Sequence, residues 1–147
     1  MFDKPKRFID RVFIHCSATD NPEHDSIDVL RHWHVDGNGW SDVGYHYLIN
    51  ADGNLELGRD LERSPAAQRG NNTGSVAICL HGLSEDLFTE DQYNTLAELC
   101  DSINIELKGK VTFHGHCEVS HKSCPVFDYK KILDLCACGR LGWLDIY

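Results

Sequence analysis

The chain of 147 residues carries 14 lysines and arginines against 23 aspartates and glutamates, which gives a formal net charge of −9. This acidic balance argues against direct nucleic-acid binding, which needs a basic face, and it provides no attraction to an anionic membrane surface. No run approaches the ~20 apolar residues of a membrane span, and the length fits a single domain over residues 1–147.

The N-terminal segment, MFDKPKRFIDRVFIH, is too charged for a signal peptide and has no small-residue cleavage site. We therefore expect the chain to remain in a reducing cytoplasm. Its 7 cysteines are an odd number, which argues against a disulfide framework. Some of these thiols should be core residues and a few could be ligands.

The first predicted elements are a strand and a helix. Residues 7–19 contain a β-branched and aromatic run, which is typical of a buried strand. Apolar residues at helical spacing predict a helix over 26–35, for which Asp25 and Ser26 are alternative N-caps.

A hairpin, a loop and a central strand follow. Residues 44–59 form two alternating segments joined at Asp52 and Gly53, the clearest hairpin signal in the chain. Residues 64–74 predict a long polar loop of the kind that often borders a site. Residues 75–82 read as a central strand.

The last predicted elements are two helices around a strand. Thr89 and Gln92 have capping-box spacing at the start of a helix over 89–107. A strand is predicted over 110–116 and a final helix over 128–137. The order β-α-β-β-β-α-β-α predicts an α/β sandwich in which helices cover a mixed sheet.

Three residues from distant parts of the chain are candidate zinc ligands. A catalytic zinc site needs about three protein ligands and an open position for water. His15 ends the first predicted strand, and His116 and Cys124 lie in the stretch GHCEVSHKSCP. The His–Cys spacing alone is weak evidence. The sequence pattern alone does not decide whether His114 or His116 is the ligand, because both lie on one face of the predicted strand.

Other cysteines and histidines have plainer interpretations. Cys16 should face the opposite side of the strand from His15 and serve as a small core residue. Cys136 and Cys138 form a pair with no flanking histidine, which argues against a second metal site. His81 ends the central strand, where a group supporting a metal ligand would be placed.

Five stretches, read in order, carry a specific resemblance. FIHCSAT, LRHWH, GWSDVGYHYLINADGNLELGRD, SVAICLHG and GHCEVSHKSCPVFD span about residues 7 to 135. Together they resemble the zinc-dependent N-acetylmuramoyl-L-alanine amidases, which share a fold with peptidoglycan recognition proteins. The nearest likeness is to the short, single-domain lysins of tailed phages. The resemblance implies a three-layer α/β sandwich with a central mixed sheet flanked by helices.

The resemblance also implies a site. The family's zinc ligands fall on His15, His116 and Cys124, with one zinc per chain, and its catalytic residues fall on Tyr45 and Lys122. Amide hydrolysis needs an activated water, a polarised carbonyl and a proton donor.

In that chemistry the lysine would stabilise the developing oxyanion. The tyrosine would hydrogen-bond the attacking water or relay its proton, and a nearby cation would help its hydroxyl ionise. The sequence departs from the family at Ala67, where a histidine is usual, and at His121, where proline is common.

The implied function is hydrolysis of the amide bond between N-acetylmuramic acid and L-alanine, by a phage endolysin that waits in the host cytoplasm. The candidate site has no evident pair of carboxylates, which glycosidases typically need, and this favours an amidase over a glycosidase. A non-catalytic peptidoglycan-binding module is the alternative, although such proteins typically lose the ligand cysteine. A further role implied by the resemblance is restraint of a phage RNA polymerase. We expect a monomer whose substrate is peptidoglycan.

Overall fold

The computed structural model describes residues 1–141, and its centre is a five-stranded mixed sheet. The strands are β1 (Arg11–Cys16), β2 (Tyr47–Ile49), β3 (Leu55–Leu57), β4 (Ser75–Leu80) and β5 (Thr112–Gly115). They lie in the order β3-β2-β4-β1-β5. β1 runs parallel to both β4 and β5, and β2 runs parallel to β4. β3 pairs antiparallel with β2, which confirms the predicted hairpin.

Two helices form where the capping signals predicted them. α1 (Ile27–His32) begins after Ser26, whose side chain accepts a hydrogen bond from the Asp28 N–H, so Ser26 rather than Asp25 is the N-cap. A π-helical turn over Trp33–Gly37 continues it. α2 (Glu90–Glu106) begins with the predicted capping box of Thr89 and Gln92.

The two faces of the sheet bury different clusters. On one face, β2 and β4 contribute residues that pack against α1 and the loop that follows it, namely Ile27, Leu30, Val43, Leu48 and Cys79. On the other face, alternate residues of β1, β2 and β4 pack with Leu96, Leu99 and Ile103 of α2. Because strand side chains alternate between faces, α1 and α2 cover opposite sides. The predicted three-layer α/β sandwich is confirmed.

The parallel pairing of β1 with β5 brings two distant segments to one edge of the sheet. His15 is the penultimate residue of β1, and His116 directly follows β5. Since these strands are parallel neighbours, their carboxyl ends lie together. Such edges are where α/β sheets commonly bind ligands.

The C-terminal part differs from the prediction. α3 (Tyr129–Ile132) is much shorter than the predicted helix over 128–137. The helix cannot continue because Asp134 adopts a left-handed conformation, with φ of 53°. Cys136 and Cys138 are joined as a disulfide, and the other five cysteines are free thiols, so one local bridge is present where the sequence argued against a disulfide framework.

Residues 142–147 of the predicted single domain lie outside the described part of the chain. Within residues 1–141, no helix has the length and apolar character needed to cross a membrane.

Candidate metal centre

Three side chains meet at the carboxyl edge of β1 and β5, two of them 109 residues apart. The ligand atoms of His15, His116 and Cys124 all lie within 4.8 Å of one another. His15 Nδ1 is 3.8 Å from Cys124 Sγ, and the two imidazole rings are 4.6 Å apart between centroids. Two imidazoles and one thiol are a donor set that suits zinc and leaves a fourth position free for water. The residues present therefore fit a catalytic zinc site.

His15 is the most buried member of this cluster, with 1% of its surface exposed. Its Nε2 lies 2.9 Å from Oε1 of Gln68. Burial lowers the pKa of His15 to about 3, so its ring is neutral near pH 7. A neutral imidazole is the form that binds a metal ion.

The structure separates the two histidines that the sequence left as alternatives. His116 begins a short 3-10 turn after β5 and joins the cluster. His114, within β5, packs against Phe13 with ring centroids 5.3 Å apart. Its Nε2 is 2.7 Å from Thr112 Oγ1 and its Nδ1 is 3.0 Å from Glu118 Oε1. Both ring nitrogens of His114 thus have partners outside the cluster, which favours His116 as the ligand candidate.

Cys124 has a second cysteine beside it. Its Sγ accepts a hydrogen bond from the backbone N–H of Cys16 at 3.1 Å. Contact with the Cys124 thiol lowers the pKa of Cys16 to about 7, whereas that contact and burial together raise the pKa of Cys124. Cys16 is buried, as predicted for a core residue. It also supplies a donor to the neighbouring sulfur, which the sequence did not indicate.

A cavity of about 330 Å³ opens beside the cluster and contains Tyr45. Its other lining residues include Ser17, Ala18, His34, Asn38, Trp40, Ala66, Ala67 and Lys122. The Tyr45 and His15 rings are 5.1 Å apart between centroids. Burial raises the pKa of Tyr45 well above its usual value, so the hydroxyl keeps its proton and can donate a hydrogen bond.

Lys122 provides positive charge at the mouth of this cavity. Its side chain is exposed and lines the cavity with Cys124 and His116. Burial, and after it the charge of Lys122, lowers the pKa of His116. The ammonium group is thus close enough to act electrostatically on the cluster.

The remaining predicted positions have ordinary surroundings. Ala67 lines the cavity, and its backbone N–H donates to Asn72 Oδ1 at 3.1 Å. His121 is exposed. His81 is buried outside the cluster, with its Nδ1 3.8 Å from Asp25 Oδ1.

Sequence reasoning missed two polar residues near the centre. Gln68 lies in the polar loop over 64–74, where nothing in the pattern distinguishes a buried amide from an exposed one. His34 lies within the predicted helix over 26–35, where its spacing indicated no contact with the site, but its Nδ1 accepts a hydrogen bond from the Gly44 N–H at 2.8 Å. The His34 ring also packs beside Trp40 and Tyr45, with centroids 4.7 and 5.6 Å away. The aromatic GWSDVGYHY stretch was the available signal for this group.

Comparison with known proteins gives consistent matches. Residues 5–127 match the family model described as N-acetylmuramoyl-L-alanine amidase. The endolysin of Escherichia phage T7 is 36% identical over 134 residues, which cover 87% of this chain and 87% of that protein.

Two solved structures share the fold. The amidase LysC from Clostridium intestinale is 22% identical, with a TM-score of 0.77 over 87% of this chain and 85% of that one. Drosophila peptidoglycan recognition protein SD is 25% identical, with a TM-score of 0.71 over 85% and 79% of the two chains.

Proposed function

Because the chain belongs to the N-acetylmuramoyl-L-alanine amidase family and is a peptidoglycan hydrolase of the endolysin kind, we propose that its activity depends on one zinc ion held by His15, His116 and Cys124. The observation that supports this proposal most directly is the meeting of their three ligand atoms within 4.8 Å. When bound, zinc would polarise the substrate carbonyl and lower the pKa of water from about 15.7 toward ~7.

The chain's own residues supply the other parts of the chemistry. Lys122, at the cavity mouth, offers a cation where negative charge develops on the carbonyl oxygen. Tyr45 is partly buried, and its raised pKa keeps the hydroxyl protonated, so the hydroxyl is suited to orient the attacking water by donating a hydrogen bond. The cavity beside the cluster is the place where the muramyl-peptide would bind.

The wider setting of the enzyme follows from the same assignment. We expect residues 1–147 to act as one amidase domain, as a monomer. The protein would accumulate in the host cytoplasm and reach the wall after the membrane is permeabilised. Restraint of a phage RNA polymerase stays a separate prediction, which a pull-down with the cognate polymerase tests.

The proposal is tested by metal content and by the bond that is cut. The purified protein should contain one zinc per chain by elemental analysis, and Cys124→Ser should lose both zinc and wall hydrolysis. Cys117→Ser is a matched control, because Cys117 is an exposed free thiol beside His116. Full zinc occupancy in Cys124→Ser would refute the ligand assignment.

Digested walls should show new amino groups on L-alanine and no new reducing sugar. A rise in reducing ends without free N-terminal alanine would instead identify a glycosidase and contradict the proposed reaction.

A further inference from the structure

A buried glutamine makes direct contact with the first candidate ligand. Gln68 has 0% of its surface exposed, and its Oε1 lies 2.9 Å from Nε2 of His15. Neither residue is accessible to solvent to any useful extent, so each must satisfy its polar atoms within the protein. The contact is therefore a structural hydrogen bond, and its direction depends on how the Gln68 amide is oriented.

Neighbouring groups determine that orientation. The Gln68 Nε2 lies 2.6 Å from Ser75 Oγ and 3.4 Å from the Asn71 carbonyl. Ser75 Oγ already donates its hydrogen to the Asn72 carbonyl at 2.8 Å, so toward Gln68 it must accept. The amide NH₂ therefore faces Ser75, and the amide oxygen faces His15.

An amide oxygen can only accept a hydrogen bond, which determines the form of the imidazole. His15 Nε2 must carry the hydrogen and donate it to Gln68, which leaves Nδ1 with a free lone pair. Nδ1 is the nitrogen that lies 3.8 Å from Cys124 Sγ. The hydrogen bond thus selects the tautomer and the ring rotation in which His15 presents Nδ1 to the cluster.

We propose that Gln68 is the positioning residue that holds His15 in its metal-binding tautomer. The inference rests on the proposed zinc site and adds to it a residue that touches neither metal nor substrate. In other metal sites, groups that orient a ligating histidine contribute 10–100-fold to affinity or activity.

The loop over 64–74 is built to hold this amide in place. Asn72 Oδ1 accepts hydrogen bonds from the backbone N–H groups of Ala67 and Gln68, at 3.1 and 2.9 Å. The Ala66 N–H donates to the Gly44 carbonyl at 3.1 Å, which joins the loop to the segment that carries Tyr45. An uncharged amide suits this position, because a carboxylate would be a buried charge whenever the metal is absent.

The test compares zinc affinity in three variants of the full-length protein, by competition with a chromophoric chelator. We expect Gln68→Leu to bind zinc 10–100-fold more weakly than the parent. Gln68→Glu keeps an acceptor for His15 Nε2–H but loses the donor to Ser75 Oγ, so its zinc affinity should lie between that of Gln68→Leu and that of the parent. The matched control is Gln92→Leu, because Gln92 is equally buried and its amide bonds the carbonyls of Ile49 and His81 instead.

A second readout reports on the ligand itself. Cobalt(II) bound in place of zinc should give an altered visible spectrum in Gln68→Leu and a parent-like spectrum in Gln92→Leu. If Gln68→Leu does not fold, Ser75→Ala serves instead, since it removes the acceptor that fixes the amide, and it should weaken zinc binding severalfold.

Parent-like zinc affinity and cobalt spectrum in the folded Gln68 or Ser75 variant would overturn the inference. So would equal losses of affinity in Gln68→Leu and Gln92→Leu, which would indicate a general effect of destabilisation. Failure of the parent protein to bind zinc would refute the zinc-dependent function itself, and is thereby distinguished from failure of the Gln68 role.

Discussion

The buried His46 should make the stability of the zinc-free protein depend on pH. Only 1% of its surface is exposed. Its Nε2–H donates to the Arg63 carbonyl at 2.8 Å, and its Nδ1 accepts from the Ala77 N–H at 3.1 Å. Protonation of Nδ1 would break the second bond and bury a charge. Accordingly, burial lowers the pKa of His46 from 6.5 to about 4.

The sign and size of the effect follow from this difference. Between these two pKa values His46 is protonated in the unfolded chain but neutral in the folded protein. Stability therefore falls as pH is lowered from 6.5 toward 4. A difference of about 2.5 pKa units corresponds to a limit of ~3 kcal/mol. Between about pH 7 and pH 4.5, His46 should account for a loss of roughly 2 kcal/mol.

The measurement is urea denaturation at a series of pH values, with a chelator present so that metal release does not contribute. His46→Gln should lower stability at pH 7 but show a pH dependence shallower than the parent by that amount. His121→Gln, which alters an exposed histidine, serves as the control and should follow the parent curve. Parallel curves for the parent and His46→Gln would refute the reasoning.

Three further predictions concern the site. Lys122→Ala and Tyr45→Phe should retain both the bound zinc and the native fold, but their turnover should be lower by ~10²–10³ with little change in wall binding. Hydrolysis at the parent rate in either variant would contradict the catalytic role of that residue. Lys130→Ala is the control for loss of an exposed lysine. Gly44→Ala should destabilise the protein by at least ~1–3 kcal/mol and reduce hydrolysis, because the new Cβ would lie 2.2 Å from the Ala66 carbonyl oxygen. Gly37→Ala, where nothing lies within 4 Å, should be nearly neutral in the same thermal melts, and equal effects would contradict the steric argument. Zinc at about 100 times its Kd should stabilise the chelator-treated protein by ~2.7 kcal/mol and raise Tm by roughly 5–10 °C. Cys124→Ser should show no rise in Tm, whereas Cys138→Ser should respond like the parent. If the parent itself shows no rise in Tm with zinc, the proposed zinc site is wrong.

The sequence predicted those parts of the fold that local chemistry determines. The buried run before His15 is a strand, and Thr89 and Gln92 form the capping box that was expected from their spacing. The final helix was overestimated because its length depends on the left-handed turn at Asp134, which apolar periodicity does not report.

The candidate site was predictable only as a set of residues. The motifs selected His15, His116 and Cys124, but their proximity depends on the parallel pairing of β1 and β5 across the chain. The contribution of Gln68 could not be predicted, since burial of a loop amide is decided by tertiary packing. The same applies to the Cys16 N–H, which points at Cys124 only in the folded protein.

The wide separation of the cluster in the sequence has a consequence for synthesis of the protein. His15 is synthesised early, and Cys124 follows it by 109 residues. At typical elongation rates this separation corresponds to a delay of roughly 5–20 s. Until Cys124 has been made the proposed donor set is incomplete, and for most of that time β1 also has no β5 beside it. A chain that ends before Cys124 would therefore be inert toward the wall. Hydrolytic competence would arise only after Cys124 has been synthesised, so shorter fragments would carry no lytic activity however abundant they are.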